Sequence, residues 1–183
     1  MKLEAIAISL LFCLSTGCGA ANVASSPSIT LNNQASTLGS QGVMNNLFIG
    51  KRVRDLLKAA RDAHDHAKDQ ACIASLRQAA DESQTNNEAL AVAEYANAHA
   101  YDNAAVHALE KACERSTTMK ESLKAAEFAN AHAYDNAAIK ALNRAADLSK
   151  SVKEILAVAD FADRHGYDGA ENYALNKGNQ LKG

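Results

Sequence analysis

Four stretches of this chain recur at a fixed interval of 33 residues. Leu90–Leu109 (LAVAEYANAHAYDNAAVHAL) and Leu123–Leu142 (LKAAEFANAHAYDNAAIKAL) are the clearest pair, Leu156–Leu175 is a third copy, and Leu57–Leu76 is a fainter first one. A period of this size belongs to repeat architectures, in which one supersecondary unit cannot bury its apolar face alone and must stack on its neighbours. The fold is therefore predicted to be all-α, an α-solenoid of four two-helix repeats over 54–183 (about 54–86, 87–119, 120–152 and 153–183).

Glu121–Leu148 shows how one unit is built. Ala125, Phe128, Ala129 and His132 follow the spacing of one helix face, widened by Ala126 and Ala133, while Lys124, Glu127 and Asn130 fall opposite. A second helix starts near Asn136, with Ala138, Ala141, Leu142, Ala145 and Leu148 on its buried stripe and Lys140, Asn143, Arg144 and Asp147 on its wet one. A single Pro and no Trp fit this Ala-rich helical reading.

The joint between the two helices carries the most specific local pattern. Asp135 is placed as the N-cap of the second helix, its carboxylate taking the free amides, with Tyr134 and Ile139 as a hydrophobic staple. Tyr101 and Asp102 repeat the pattern with Val106, and Asp69 repeats it with Lys68 and Ile73. Tyr167 and Asp168 repeat it in the last unit, where Asn172 replaces the apolar staple residue. That unit also carries Gly166 and Gly169 and ends in NKGNQLKG, a drift suited to a terminal capping repeat.

The spacing of Ala125, Phe128, Tyr134 and Ala137 resembles that of the tetratricopeptide (TPR) repeat. Tyr95, Tyr101 and Ala104 repeat part of it, as do Phe161, Tyr167 and Ala170, over roughly residues 54–183. The resemblance implies stacked helical hairpins whose first helices line a concave face that grips peptides or partner proteins.

The N-terminus reads differently. Residues 1–17 have the makeup of a signal peptide: Lys2, then the uncharged run Ala5–Thr16, too short to span a bilayer. Leu14-Ser15-Thr16-Gly17-Cys18 resembles a bacterial lipoprotein signal, with Cys18 as the lipidated residue. Gly19-Ala20-Ala21 offers an alternative site for ordinary secretion. Gly19 after the Cys would, by that resemblance, favour the outer membrane, facing the periplasm. Residues 18–46 read as a flexible tether with a reach of about 30 Å. Residues 47–53 read as an N-terminal cover, with Leu47, Phe48 and Ile49 over the open end of the first repeat.

Of the remaining cysteines, Cys72 and Cys113 fall in equivalent second helices but eight residues apart in register. That offset is about 12 Å along the axis, beyond the roughly 7 Å that a disulfide spans, so two free thiols are expected.

Two repeated slots bear on function. His66, His99, His132 and His165 share one, on the apolar arc of the first helix, where a satisfied structural histidine is expected rather than a metal ligand or base. Equivalent slots lie about 10 Å apart in packed helices, too far for a shared metal. The second slot is Glu94, Glu127 and Asp160, followed by Asn97, Asn130 and Asp163 one turn later, with Arg61 at the basic end. These residues form a polar, mildly acidic groove if the first helices line the inner face. A net charge of −2 gives no general attraction to nucleic acid.

These features give three expectations. The first is an exported, lipid-anchored scaffold that engages a protein or peptide through the first-helix face. The second is a structural spacer of the envelope with no dedicated ligand. The third, weakest, is a metal protein or enzyme using the His-x-Tyr-Asp slot. No cofactor, small-molecule substrate or nucleic-acid partner is expected, and the membrane is reached only through the lipid.

Overall fold

A computed structural model describes residues 49–181. Among these residues the chain is all helical, with eight α-helices of 13 to 15 residues and no strand. They are α1 (Lys51–Asp65), α2 (Asp69–Glu82), α3 (Asn86–Ala98), α4 (Asp102–Arg115), α5 (Met119–Ala131), α6 (Asp135–Leu148), α7 (Val152–Arg164) and α8 (Asp168–Gln180). Consecutive helices form four hairpins, and the hairpins stack in chain order. The second helices pack directly on one another (α2 on α4, α4 on α6, α6 on α8), whereas successive first helices touch far less.

The signal segment 1–17, Cys18, the tether 18–46, Leu47 and Phe48 lie outside the described residues. Ile49 is buried, at 3% exposed. Its neighbour Gly50 donates its N–H to Glu88 of the second hairpin at 2.6 Å, so this point lies at the seam between hairpins one and two rather than on the outer end of the first. Helix α1 begins at Lys51, inside the stretch expected to be a cover.

The core is built mainly of alanine. Ala89, Ala93, Ala96, Ala104, Ala105, Ala108 and Ala112 of the second unit are all fully buried, with Leu76, Leu109 and Leu142 as the larger anchors. Small side chains let helix axes approach closely but remove little area from water per residue, so each hairpin needs its neighbours. The cysteines are free thiols. Cys72 is buried in this core, and Cys113 donates weakly to the carbonyl of Lys140 at 3.6 Å.

The inter-repeat turns are fixed by capping boxes. Thr85 accepts from the Glu88 N–H and Thr118 from the Glu121 N–H, while each glutamate returns to the cap residue's N–H. Ser151 accepts from the Glu154 N–H in the same way. Glu88 is only 5% exposed and takes the N–H groups of Gly50, Gln84 and Thr85. Hydrogen bonds from Thr117 and Thr118 hold the Glu121 carboxyl below its ordinary range against the opposing effect of burial.

Each first helix ends in a Schellman turn. Tyr134 N–H donates to Ala129 O at 2.8 Å and Ala133 N–H to Asn130 O at 3.2 Å, which places Ala133 in the left-handed region at φ 58°. Ala67 and Ala100 are in the same position, and the last unit has Gly166 there. An L-residue with a Cβ is strained in this conformation and Gly is not. Ala133→Gly is therefore expected to raise stability by about 0.5–1 kcal/mol, read as a higher urea midpoint. Thr118→Ala removes a cap and is expected to cost about 1 kcal/mol in the same assay.

Candidate functional site

The joint within each hairpin is where the repeated polar residues meet. The structure corrects the assignment of Asp69, Asp102, Asp135 and Asp168 as caps. Each is the first residue inside its helix; Lys68, Tyr101, Tyr134 and Tyr167 hold the cap positions, and none makes a side-chain cap bond. The aspartates face a different partner. Tyr101 donates its hydroxyl to Asp69 at 3.0 Å, Tyr134 to Asp102 at 3.0 Å and Tyr167 to Asp135 at 3.2 Å. Each bond joins one unit to the unit before it. Tyr101, Tyr134 and Tyr167 thus tie each unit to the one before it through Asp69, Asp102 and Asp135.

The same hydroxyls reach a second slot. Tyr134 lies 3.0 Å from Asn97 Oδ1 and Tyr167 lies 3.0 Å from Asn130 Oδ1. A phenol has one proton, and the carboxylate is the stronger acceptor. The asparagine oxygen is the second acceptor beside it, and the Asn97 NH2 lies 3.2 Å from His132 Nδ1 of the same later unit. In the first unit His64 takes this role, its Nδ1 lying 2.8 Å from the Tyr101 hydroxyl. Asn97 and Asn130 are half-buried, so these two groove candidates are spent on stacking.

Burial raises the Tyr134 phenol to about 12, and its bond to Asp102 adds to the effect. The Tyr101 and Tyr167 phenols rise for the same reasons.

The histidine slot departs from the apolar arc expected for it. His66, His99, His132 and His165 are the C-cap residues of the first helices, and His66, His132 and His165 are exposed. The helix ends one residue before them, which swings the ring off the buried stripe. The rings lie against the aromatic residue one turn back, His99 on Tyr95 at 4.4 Å, His132 on Phe128 at 4.5 Å and His165 on Phe161 at 4.4 Å. His66 instead bonds the Asp62 carbonyl at 2.6 Å. Among the described residues no cluster of three His, Cys, Asp or Glu side chains is placed to hold a metal. The aspartate met by each tyrosine also belongs to the preceding unit, so His-x-Tyr-Asp is not assembled within one repeat.

Glu94, Glu127 and Asp160 are exposed on the first helices. Asp160 pairs with Arg164 of its own helix at 2.9 Å, while among the described residues Glu94 and Glu127 have no ion-pair partner. Arg61 is 3.9 Å from Asp65, a loose surface pair, and Asp163 is exposed. Charged and polar side chains on the second helices also tie units together. Glu110 pairs with Lys140 and Asp81 with His107, each across a unit boundary.

The capping boxes were legible as Thr85-x-x-Glu88 and Thr118-x-x-Glu121, a pattern the helix-face reading passed over, and Ser151-x-x-Glu154 keeps only the serine half of it. The Tyr–Asp bridge was signalled only by both residues keeping the 33-residue register. Burial pushes the Cys72 and Cys113 thiols up, away from the reactive thiolate. Comparison of the chain with protein-family models, curated proteins and solved structures finds no match.

Two tyrosines should respond oppositely to loss of the hydroxyl. Tyr134→Phe strips Asp102 and Asn97 of a partner and is expected to cost about 1 kcal/mol. Tyr95 is 2% exposed and its hydroxyl has no partner among the described residues. Tyr95→Phe, the residue type found at Phe128 and Phe161, is expected to stabilise by up to about 1 kcal/mol. Urea midpoints of the two variants decide both.

The bridges also set an alkaline limit. A phenol whose folded value exceeds its unfolded value of about 10 contributes stability that is complete below pH 10 and lost as pH rises toward the folded value. Stability should fall between about pH 10 and 12, in step with tyrosinate absorbance at 295 nm and less steeply in Tyr134→Phe.

Proposed function

We propose that this chain is a helical-repeat scaffold that engages a protein or peptide along the exposed face of its first helices. The observation that carries this reading is the carboxylate slot Glu94, Glu127 and Asp160. Most other repeated polar slots are consumed by capping or by bonds between units, whereas Glu94 and Glu127 make no ion pair within the described residues. A regular row of exposed carboxylates, two of the three free of ion pairs among the described residues, suits a basic, extended partner more than a small molecule. Arg61 and Asp163 mark the two ends of that row, one basic and one acidic. The reading assigns no cofactor and no catalytic step.

The TPR-like assignment belongs to this proposal. It is supported by the small-aromatic-Tyr-Ala spacing and by the two-helix units, and it predicts the first-helix face as the binding face. Export and anchoring through Cys18 rest on the lipoprotein-like run before it and on the charge-free tether that follows. No helix among the described residues is long and apolar enough to cross a membrane.

The test combines Glu94→Lys, Glu127→Lys and Asp160→Lys in one chain. All three sites are exposed, so helicity should be unchanged. Loss of the proteins captured by the parent chain supports the reading, and an unchanged set overturns it. Mass spectrometry of the mature N-terminus tests the anchor separately. A diacylated or triacylated Cys18 supports it, and an unmodified terminus after Ala20 or Ala21 replaces it with secretion.

A spacer role is favoured by a different observation. At every internal joint the Tyr and Asp slots are taken up by unit-to-unit bonds, joined by Asn97 and Asn130. If the triple reversal leaves every interaction in place, the rod itself is the function.

A further inference from the structure

Each bridge between units has two halves, and the ends of the stack keep one half each. The forward half is the Asn and Asp pair of the earlier unit, and the backward half is the Tyr of the later one. At the C-terminal end the forward half is Asp163 and Asp168, both exposed and neither with a donor to its side chain among the described residues. At the N-terminal end the backward half is Lys68, also exposed. Its backbone, at φ −103° and ψ 64°, matches the cap conformation of Tyr134 at φ −92° and ψ 61°.

The two ends depart from the internal pattern in a matched way. Internally an Asn, or His64 at the first joint, stands beside the Asp and a neutral Tyr enters between them. At the C-terminal end Asn has become Asp163, which makes the socket doubly anionic. At the N-terminal end Tyr has become Lys68, which makes the plug cationic. Ordinary end-capping needs only polar residues. Complementary charge at two ends of one chain fits each end to the other.

Apolar surface is left over at the same ends. Leu156 is 53% exposed and Leu175 37%, whereas the equivalent Leu57 and Leu76 of the first unit are fully buried beneath the next one. Ala71 is exposed at the N-terminal end, where the equivalent Ala104 is fully buried against the preceding unit. The shape that covers Leu57 and Leu76 inside the molecule is another hairpin of this same repeat.

We propose that the C-terminal face of one copy receives the N-terminal face of a second copy, head to tail, with Lys68 of the second between Asp163 and Asp168 of the first. The contact continues the internal stacking, so it is heterologous and grows open-ended rods instead of closing a dimer. The same register brings Lys58 toward Lys153, by analogy with Lys124 and Asn87, which are 3.3 Å apart inside the molecule. That opposing pair lies at the exposed rim, where water screens it. This inference does not depend on the carboxylate row having a partner.

The experiment uses the full chain at low and high salt. Sedimentation velocity should show the average mass rising with concentration, more strongly at low salt. An equal mixture of 14N and 15N chains, treated with a zero-length carbodiimide cross-linker, should yield mixed-isotope peptides joining Lys68 to Asp163 or Asp168. Lys68→Glu alone, or Asp163→Lys with Asp168→Lys, should weaken association at least about tenfold with helicity unchanged. Mixing those two variants should restore it. A monomer at every concentration overturns the proposal, and so does association indifferent to both reversals. Cross-links confined to single-isotope peptides also overturn it, since Lys68 would then serve a contact within one chain.

Discussion

The structure depends on one hairpin leaning on the next. Alanine fills most buried positions, and an alanine contributes little apolar area. Two helices of such composition cannot hold together alone, and the gain comes only when a further unit closes over the exposed side. The close approach that small residues allow also brings the hairpin joints within hydrogen-bonding reach of each other. There the Tyr101, Tyr134 and Tyr167 hydroxyls fix how each unit sits on the one before it. Packing without direction is supplied by alanine, and register is supplied by the tyrosine bridge.

This division explains which residues vary among the copies. Slots on the exposed face of the first helices accept Glu, Asp or Arg without consequence for stacking. Slots in the internal bridges change in a way that keeps a partner: His64 stands for Asn where the following tyrosine can still be met. Backbone economy follows a similar rule. Three units accept a left-handed alanine at the Schellman turn, because the bonds on either side hold it there, and only the last unit relaxes to Gly166.

The functional residues divide along the same line. The histidines drew notice in the sequence because a recurring His beside Tyr and Asp has the makeup of a catalytic or metal site. In the fold the Asp is bonded by the tyrosine of the next unit, and the His ring lies on an aromatic neighbour. Side chains adjacent in sequence are thus divided between two interfaces. The carboxylate row has the reverse character. It drew less notice as a motif, and apart from the Asp160–Arg164 pair it makes no ion pair among the described residues.

The sequence by itself determined the helical class, the four units, their period and their free thiols, because these follow from apolar spacing and axial offset within single helices. It also contained the capping boxes, which are local. It could not decide which surface each polar slot faces, since a one-residue change in where a helix starts or stops rotates a side chain by about 100°. That shift made Asp135 a partner of the next unit instead of a cap, and carried His132 from the apolar stripe to the surface. Pairings across 32 and 37 residues arise only when neighbouring units meet, and only the tertiary structure decides them.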